Sequence, residues 1–300
     1  MSGNILGKMN VNISNQYLNK NANIRNSQQP FAFLNRTSQT DIVSLNSKQS
    51  KPKNKNFLLS LAGFATAAIA AAFVLKTSRA NQTKAIEKIE KKFLDLQDKL
   101  PEVRRTFKEV FLRSDITEKE ALEMLNRYKE IEKIAITGTK EEYIQAIFNE
   151  AKKNYGLNNL KSELKIVDGP ILGNNRILGF TDPLGDISIK STLSHNEVMD
   201  TIHHEMRHLK QRYFAFNLSP DRYIKSSQPK NMTIPKEVFE YAFGGAANIS
   251  KIPAQYVEFA KKSEEGISVY CSAKSSQAGY LAQWLEQDAY KAGHKILNLL

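Results

Sequence analysis

The stretch SHNEVMDTIHHEMRHLKQRYF, residues 194–214, predicts a long amphipathic helix. Ser194 and Glu197 have the S-x-x-E spacing of a capping box, so the helix is expected to begin at about His195. Apolar side chains recur along it at helical spacing and indicate the face that packs on a core: Val198, Ile202, Met206 and Leu209. Because short strand-like runs precede this helix, the pattern favours an α+β fold.

The same helix contains the sequence HEMRH at residues 204–208, an HExxH motif. Residues four apart lie one turn above each other on a helix, so His204 and His208 can bind one metal ion. Glu205 projects from the same sector and is placed to contact a water on the metal rather than the metal itself. The motif predicts one Zn²⁺ per chain, and a charged helix surface with two unrelated histidines is the alternative. His203 is rotated by about 100° from His204, which favours a packing or surface role.

A zinc site with an open position needs a third protein ligand. No histidine follows the motif at close spacing, so a carboxylate is favoured. The best candidate is Glu286, in the sequence YLAQWLEQDAY at residues 280–290, which is predicted to lie on one C-terminal helix. Asp288 is a candidate to support the ligands from behind them. Three further glutamates are lesser candidates for the third ligand: Glu258, Glu264 and Glu265.

These residues resemble a known family. An HExxH motif followed by a distant glutamate on a second helix is similar to the gluzincin branch of the zincin metallopeptidases. The Y-x-x-Q-x-x-E-x-D-A pattern resembles small bacterial members of that group, although Trp284 stands where a proline often follows the glutamine. The pattern also departs from the gluzincin ExxxD, since Tyr290 is the fourth residue after Glu286. The resemblance covers about residues 160–300.

The resemblance implies a mechanism for peptide hydrolysis. Zinc would lower the pKa of a bound water toward ~7, and Glu205 would take its proton and pass it to the leaving amine. Tyr280 or Tyr290 would donate a hydrogen bond to the developing oxyanion. The strand over residues 186–190 would be the sheet edge that pairs with an extended peptide or protein substrate.

The region before the helix predicts a small antiparallel sheet. The runs SELKIV and ILGF read as short strands, residues 181–185 as a turn, and Ile187 and Ile189 alternate on one face of a further strand. The expected architecture is a mostly helical, zincin-like domain over residues 157–300, with this sheet just before the HExxH helix.

The segment over residues 76–156 reads as charged helices. Thr117 and Thr139 each begin a T-x-x-E capping sequence, and Pro101 breaks or restarts an earlier helical run. These helices form either a stalk or linker, or a layer packed on the catalytic region, and the sequence leaves both open.

The N-terminal part of the chain accounts for its basicity. Of the formal net charge of +12, residues 1–92 carry 14 Lys and Arg against 3 Asp and Glu, so the remainder is close to neutral and no nucleic-acid partner is expected. Residues 1–56 are polar and basic and are predicted to be disordered.

Residues 57–75, FLLSLAGFATAAIAAAFVL, are predicted to span a membrane. They are uncharged, long enough at roughly 28 Å to cross a bilayer, and flanked by lysines. A single-pass membrane protein is expected. The two flanks carry equal numbers of Lys and Arg, so the sequence does not predict which side of the membrane the C-terminal region faces.

Two functions follow from these patterns. The first is a membrane-anchored zinc metallopeptidase. The second is a non-catalytic, membrane-tethered interaction protein whose metal site is degenerate or structural. A disulfide scaffold is excluded, because Cys271 is the only cysteine.

Overall fold

The computed structural model describes residues 79–228, 233–244, 252–270 and 277–300. The tail expected over residues 1–56 and the membrane span expected over residues 57–75 lie outside these ranges and stay predictions. Within the described ranges, no helix is long and apolar enough to cross a membrane. The described residues from Ala85 onward belong to one compact unit.

Four helices form the first part of the described chain. They cover residues 79–97 (α1), Leu100–Phe111 (α2), Glu118–Thr137 (α3) and Lys140–Asn154 (α4). Pro101 lies in the first turn of α2, where its missing N–H leaves no helical hydrogen bond unmade. The side chains of Thr117 and Thr139 accept hydrogen bonds from the third residue of α3 and of α4, so both predicted capping sequences begin helices.

Three of these helices, α2, α3 and α4, contact the helix that carries the HExxH motif, α5 (His195–Leu218). Arg207 on α5 donates a hydrogen bond from Nη1 to the carbonyl oxygen of Val110 over 2.7 Å. The hydroxyl of Tyr155 donates to the carbonyl oxygen of His203 over 3.2 Å. Residues 100–154, which form α2 to α4, therefore show the packed arrangement, which is one of the two arrangements that the sequence left open. The domain boundary at residue 156 stays a prediction.

A three-stranded sheet precedes α5. Its strands are β1 (Leu164–Val167), β2 (Gly179–Thr181) and β3 (Ile187–Lys190), in the order β1-β3-β2. β2 and β3 form the antiparallel pair expected across the predicted turn, whereas β1 runs parallel to β3. The expected all-antiparallel sheet is therefore wrong. The chain reverses once over residues 168–178 and again over residues 182–186, so β1 and β3 point the same way, and β3 lies between the other two.

The sheet order also corrects the expected substrate edge. β3 covers most of residues 186–190, and it is hydrogen-bonded on both sides. Both of its isoleucines, Ile187 and Ile189, are fully buried, as the alternation predicts, and Ser188 between them is buried as well. A strand with two paired edges cannot accept a further strand, so the edge strands of this sheet are β1 and β2.

The second half of the described chain is helical and surrounds α5. After α5 come α6 (Pro220–Ser227), α7 (Lys236–Ala242), a 3₁₀ turn (Ala254–Tyr256), α8 (Val257–Ser268), α9 (Gln277–Ala282) and α10 (Trp284–Leu299). α5 begins at His195, as predicted, and the four apolar residues of its predicted core face are all buried. α8 and α10 both pack along α5.

The C-terminal helix differs from the single helix expected over residues 280–290. The backbone of Gln283 is extended, with φ −68° and ψ 137°, and it separates α9 from α10. Tyr280 consequently belongs to α9, whereas Glu286 lies in the first turn of α10, where the helix dipole favours a carboxylate. Further along α10, a Cβ added at Gly293 would lie 2.7 Å from the carbonyl oxygen of Asp200, so glycine permits the close approach to α5.

Candidate metal centre

Two histidines of α5 meet at the centre of the site. His204 and His208 lie four residues apart, and their Nε2 atoms are 3.1 Å from each other. Only 11% of the His204 side chain and 13% of the His208 side chain is exposed. The predicted helical spacing has therefore brought both nitrogens to one point, which is partly shielded from solvent.

Glu286 lies against both histidines. Its Oε2 atom is 3.5 Å from Nε2 of His204, and its Oε1 atom is 3.4 Å from Nε2 of His208. The potential ligand atoms of the three residues all lie within 4.8 Å of one another. The structure thus brings together the three metal ligands predicted from the sequence, across a separation of 78 residues between His208 and Glu286.

The donor set fits a cation. The Glu286 side chain is 1% exposed, and its Oε2 atom is buried without a hydrogen-bond partner among the described residues. Burial raises the pKa of Glu286, but contact with the two histidines outweighs it and holds that pKa well below its usual range. Two imidazoles and an ionised carboxylate, converging with one oxygen unsatisfied, could hold a metal ion.

Gln211 fixes the orientation of His208. Its side-chain amide nitrogen donates to the Leu285 carbonyl oxygen over 3.1 Å and to Oδ2 of Asp288 over 2.9 Å. Its Oε1 atom therefore faces His208 and lies 2.8 Å from Nδ1. Because Oε1 can only accept, Nδ1 carries the proton, which leaves Nε2 as the nitrogen of His208 that can bind a metal ion.

Asp288 was expected to support a metal-ligand candidate directly, but it does so through another residue. It contacts Gln211 rather than a histidine, and it receives two hydrogen bonds from Arg207, at 2.6 Å from Nε and 2.7 Å from Nη2. The paired side chains of Arg207 and Asp288 join α5 to α10. Asp288 thus positions His208 through Gln211 and ties together the two helices that supply the ligands.

Glu205 is buried beside the edge strand β2. The Thr181 hydroxyl donates a hydrogen bond to its Oε2 atom over 2.7 Å. A Cβ added at Gly179 would lie 2.8 Å from Cγ and 2.9 Å from Oε1 of Glu205, so this glycine leaves room for the carboxylate. Burial lowers the pKa of His208, but contact with Glu286 and the charge of Glu205 raise it above its ordinary value. Glu205 is therefore close to the ligands without being one of the three that converge.

Three tyrosines surround the ligands. Tyr270 donates a hydrogen bond from its hydroxyl to Oε1 of Glu286 over 2.9 Å. Burial and contact with Glu286 raise the pKa of Tyr280 far above its usual value, which places this phenol at the same carboxylate. The ring of Tyr290 packs edge-on against His204, with centroids 4.6 Å apart. Both tyrosines predicted from the sequence lie at the site, each beside a metal-ligand candidate.

No protein-family model, curated protein or solved structure matches this chain.

The other candidates lie elsewhere. Glu264 pairs with Arg222 over 2.8 Å, Glu258 pairs with Lys262 on the surface, and Glu265 is exposed. His203 is fully buried, and its Nε2 lies 3.1 Å from the hydroxyl of Tyr128, so the predicted packing role is the one observed. Burial lowers the pKa of His203 to about 3, so this imidazole is neutral.

Sequence reasoning missed three residues of the site. Gln211 had a usable signal, because it stands three residues after His208 on the same helix. Thr181 lies at the end of β2, and Tyr270 follows α8, at the end of a described range. Neither Thr181 nor Tyr270 stands at a characteristic spacing from the HExxH motif, because each is brought to the site only by the tertiary fold.

Proposed function

We propose that this protein is a zinc-dependent metallopeptidase in which His204, His208 and Glu286 hold one Zn²⁺ per chain. The observation that supports it best is the convergence of these three ligands within 4.8 Å beside the buried carboxylate of Glu205. Two histidines and one glutamate are a known ligand set of catalytic zinc sites, in which a fourth position stays open for water or substrate.

The chain's own residues account for the proton transfers. A bound zinc ion lowers the pKa of a water ligand to about 7 and polarises a peptide carbonyl. Glu205 serves as general base and later passes the proton to the leaving amine. Thr181 holds Oε2 of Glu205, so the carboxylate keeps one orientation. Tyr280 and Tyr290 are the candidates to donate to the oxyanion.

Peptides or proteins are the proposed substrates. β2 is an edge strand, and its last residue, Thr181, contacts Glu205 directly. An extended peptide that added to this edge would pass beside the general base, which is the strand-addition mode of peptide recognition. Residues 57–75 are proposed to anchor the protein in a membrane as a single span.

The first test is the zinc content of the purified full-length protein, measured by plasma mass spectrometry. We expect about one zinc per chain in the wild type, and its loss in His204→Ala and Glu286→Ala. Matched controls replace a histidine and a glutamate away from the ligands: His294→Ala and Glu264→Ala should both retain the metal. Absence of zinc from the wild type, or retention of full zinc content after His204→Ala, would overturn the proposed site.

The second test separates binding from catalysis. A pool of synthetic peptides is incubated with the wild type and with Glu205→Gln, and cleavage is followed by mass spectrometry. Glu205→Gln should keep its zinc and lose hydrolysis by at least about 100-fold, because only the general base is removed. Zinc binding without any hydrolysis by the wild type would instead favour the interaction protein with a structural metal site.

A further inference from the structure

Arg212 lies one turn beyond His208 on α5, so it continues the face that carries both histidines. Its side chain is half-buried. Nη2 donates a hydrogen bond to the carbonyl oxygen of Thr181 over 3.2 Å, and the hydroxyl of the same threonine bonds to Glu205. One residue of the edge strand therefore contacts both the guanidinium and the carboxylate of the proposed general base.

The charge of Arg212 is not neutralised by an ion pair. The neighbouring Arg207 binds Asp288 through two hydrogen bonds, whereas no carboxylate of the described residues pairs with Arg212. Asp182 forms no ion pair with Arg212, and its Oδ1 atom accepts hydrogen bonds from the backbone N–H groups of Leu184 and Asp186.

The guanidinium also retains free donors. Its Nη1 lies 3.5 Å from the hydroxyl of Tyr223 and its Nη2 binds Thr181, so two of five N–H donors are engaged. Nε is buried without a hydrogen-bond partner among the described residues. A partly buried cation of this kind is costly unless an anion neutralises it. Its planar fork matches a carboxylate.

We infer that Arg212 binds a carboxylate of the peptide substrate, close to the bond that is cleaved. This inference rests on the proposed function and specifies its substrate class as peptides with an acidic group near the scissile bond. The carboxylate comes either from an Asp or Glu side chain or from a free C-terminus. Arg212 is then a specificity-determining residue, since it distinguishes a carboxylate from the amide of the same shape.

The test measures binding, so that it does not depend on hydrolysis. Zinc-loaded, full-length Glu205→Gln protein is titrated calorimetrically with alanine-based hexapeptides that carry Glu or Gln at each internal position, with a free or an amidated C-terminus. We expect at least one carboxylate peptide to bind about tenfold or more tightly than its amide counterpart. The Glu–Gln pairs and the C-terminal pairs identify the source of the carboxylate. In Glu205→Gln/Arg212→Gln, the preference should fall to within twofold.

Two further variants in the same background separate recognition from folding. Tyr223→Phe removes one neighbour of the guanidinium and should keep the preference. Arg212→Lys keeps the positive charge but not the planar geometry of the guanidinium, so it should keep only part of the preference for carboxylate over amide peptides. Equal or undetectable binding of carboxylate and amide peptides by the parent protein, an unchanged preference in Arg212→Gln, or an equal loss in Tyr223→Phe each overturns the inference. Failure of the proposed function is seen separately, as absence of zinc or of hydrolysis in the wild type.

Discussion

Gln211 holds Nδ1 of His208 with its side-chain oxygen, 2.8 Å away, and thereby turns Nε2 of the same imidazole toward Glu286. The orientation of Gln211 is itself fixed, because its amide nitrogen binds two oxygens at residues 285 and 288. The geometry of the candidate metal site consequently depends on an amide that contacts no metal.

Replacing Gln211 should weaken metal binding. Gln211→Leu leaves Nδ1 of His208 without an acceptor and frees the ring to rotate, so we expect the Kd for zinc to rise by about 10- to 100-fold. Competition with a zinc-chelating dye measures it. The control is Gln145→Leu on the exposed face of α4, which should bind zinc as the wild type does. A Kd within twofold of the wild type for Gln211→Leu would contradict this role.

Removing the Thr181 hydroxyl should slow hydrolysis without loss of zinc. Thr181→Val deletes the hydrogen bond to Oε2 of Glu205 and keeps a β-branched residue in the strand. A hydrogen bond to a charged group contributes about 1.5 to 3 kcal/mol, so we expect kcat to fall by about tenfold or more. Thr137→Val, at the exposed end of α3, should leave kcat unchanged. Zinc loss in Thr181→Val would show that the hydroxyl supports the ligands instead.

A methyl group at Gly179 should disturb both the fold and the site. The added Cβ would lie 2.6 Å from Cγ2 of Thr201 and 2.8 Å from Cγ of Glu205. We expect Gly179→Ala to lower the free energy of unfolding by about 1 to 3 kcal/mol and to displace the general base. Gly169→Ala meets nothing within 4 Å and should lie within about 0.5 kcal/mol of the wild type in urea unfolding. Equal unfolding midpoints for the two variants would contradict the predicted clash of a methyl group at residue 179 with Thr201 and Glu205.

Asp182 should make stability depend on pH. Burial, followed by the charge of Asp186, raises its pKa from 3.8 to about 6. The folded state therefore binds the proton more tightly than the unfolded state. The stabilising contribution is present below pH 3.8 and is lost as the pH rises through about 6.

Asp182→Asn removes this titration and keeps an oxygen for the two backbone N–H groups. Relative to the wild type, the variant should gain about 2 to 3 kcal/mol of stability as the pH rises from 4 to 7, measured by thermal unfolding across that range. Asp221→Asn, whose side chain is 87% exposed, should show no such trend. A constant difference between Asp182→Asn and the wild type would contradict the raised pKa.

Local signals predicted the helices and the pairing of His204 with His208 well, because both depend on neighbouring residues along the chain. The capping boxes of α4 and α5, the apolar face of α5 and the i, i+4 pair of histidines all follow from helical spacing alone. Glu286 was predicted from metal-ligand chemistry. A zinc site needs a third protein ligand, a carboxylate was favoured, and Glu286 lies on a predicted helix near the C-terminal end.

The features that were predicted wrongly or were missed depend on contacts between distant residues. The parallel pairing of β1 with β3 is set by two chain reversals and not by the strand sequences. The break at Gln283 lacks a glycine or proline signal, and the contact between Tyr270 and Glu286 joins separate elements. Sequence periodicity carries no information about which of two neighbouring strands ends up in the middle of a sheet.

Arg207 has a consequence for how the protein folds. It bonds to the Val110 carbonyl, 97 positions before it, and to Asp288, 81 positions after it. Contacts at such separations close long loops, and chains dominated by them fold slowly. The helix with the two histidines therefore reaches its native position only after the regions around Val110 and Asp288 have both packed against it. The ability to bind metal tightly should accordingly appear in the last phase of refolding, together with the native tertiary signal and well after the helical content.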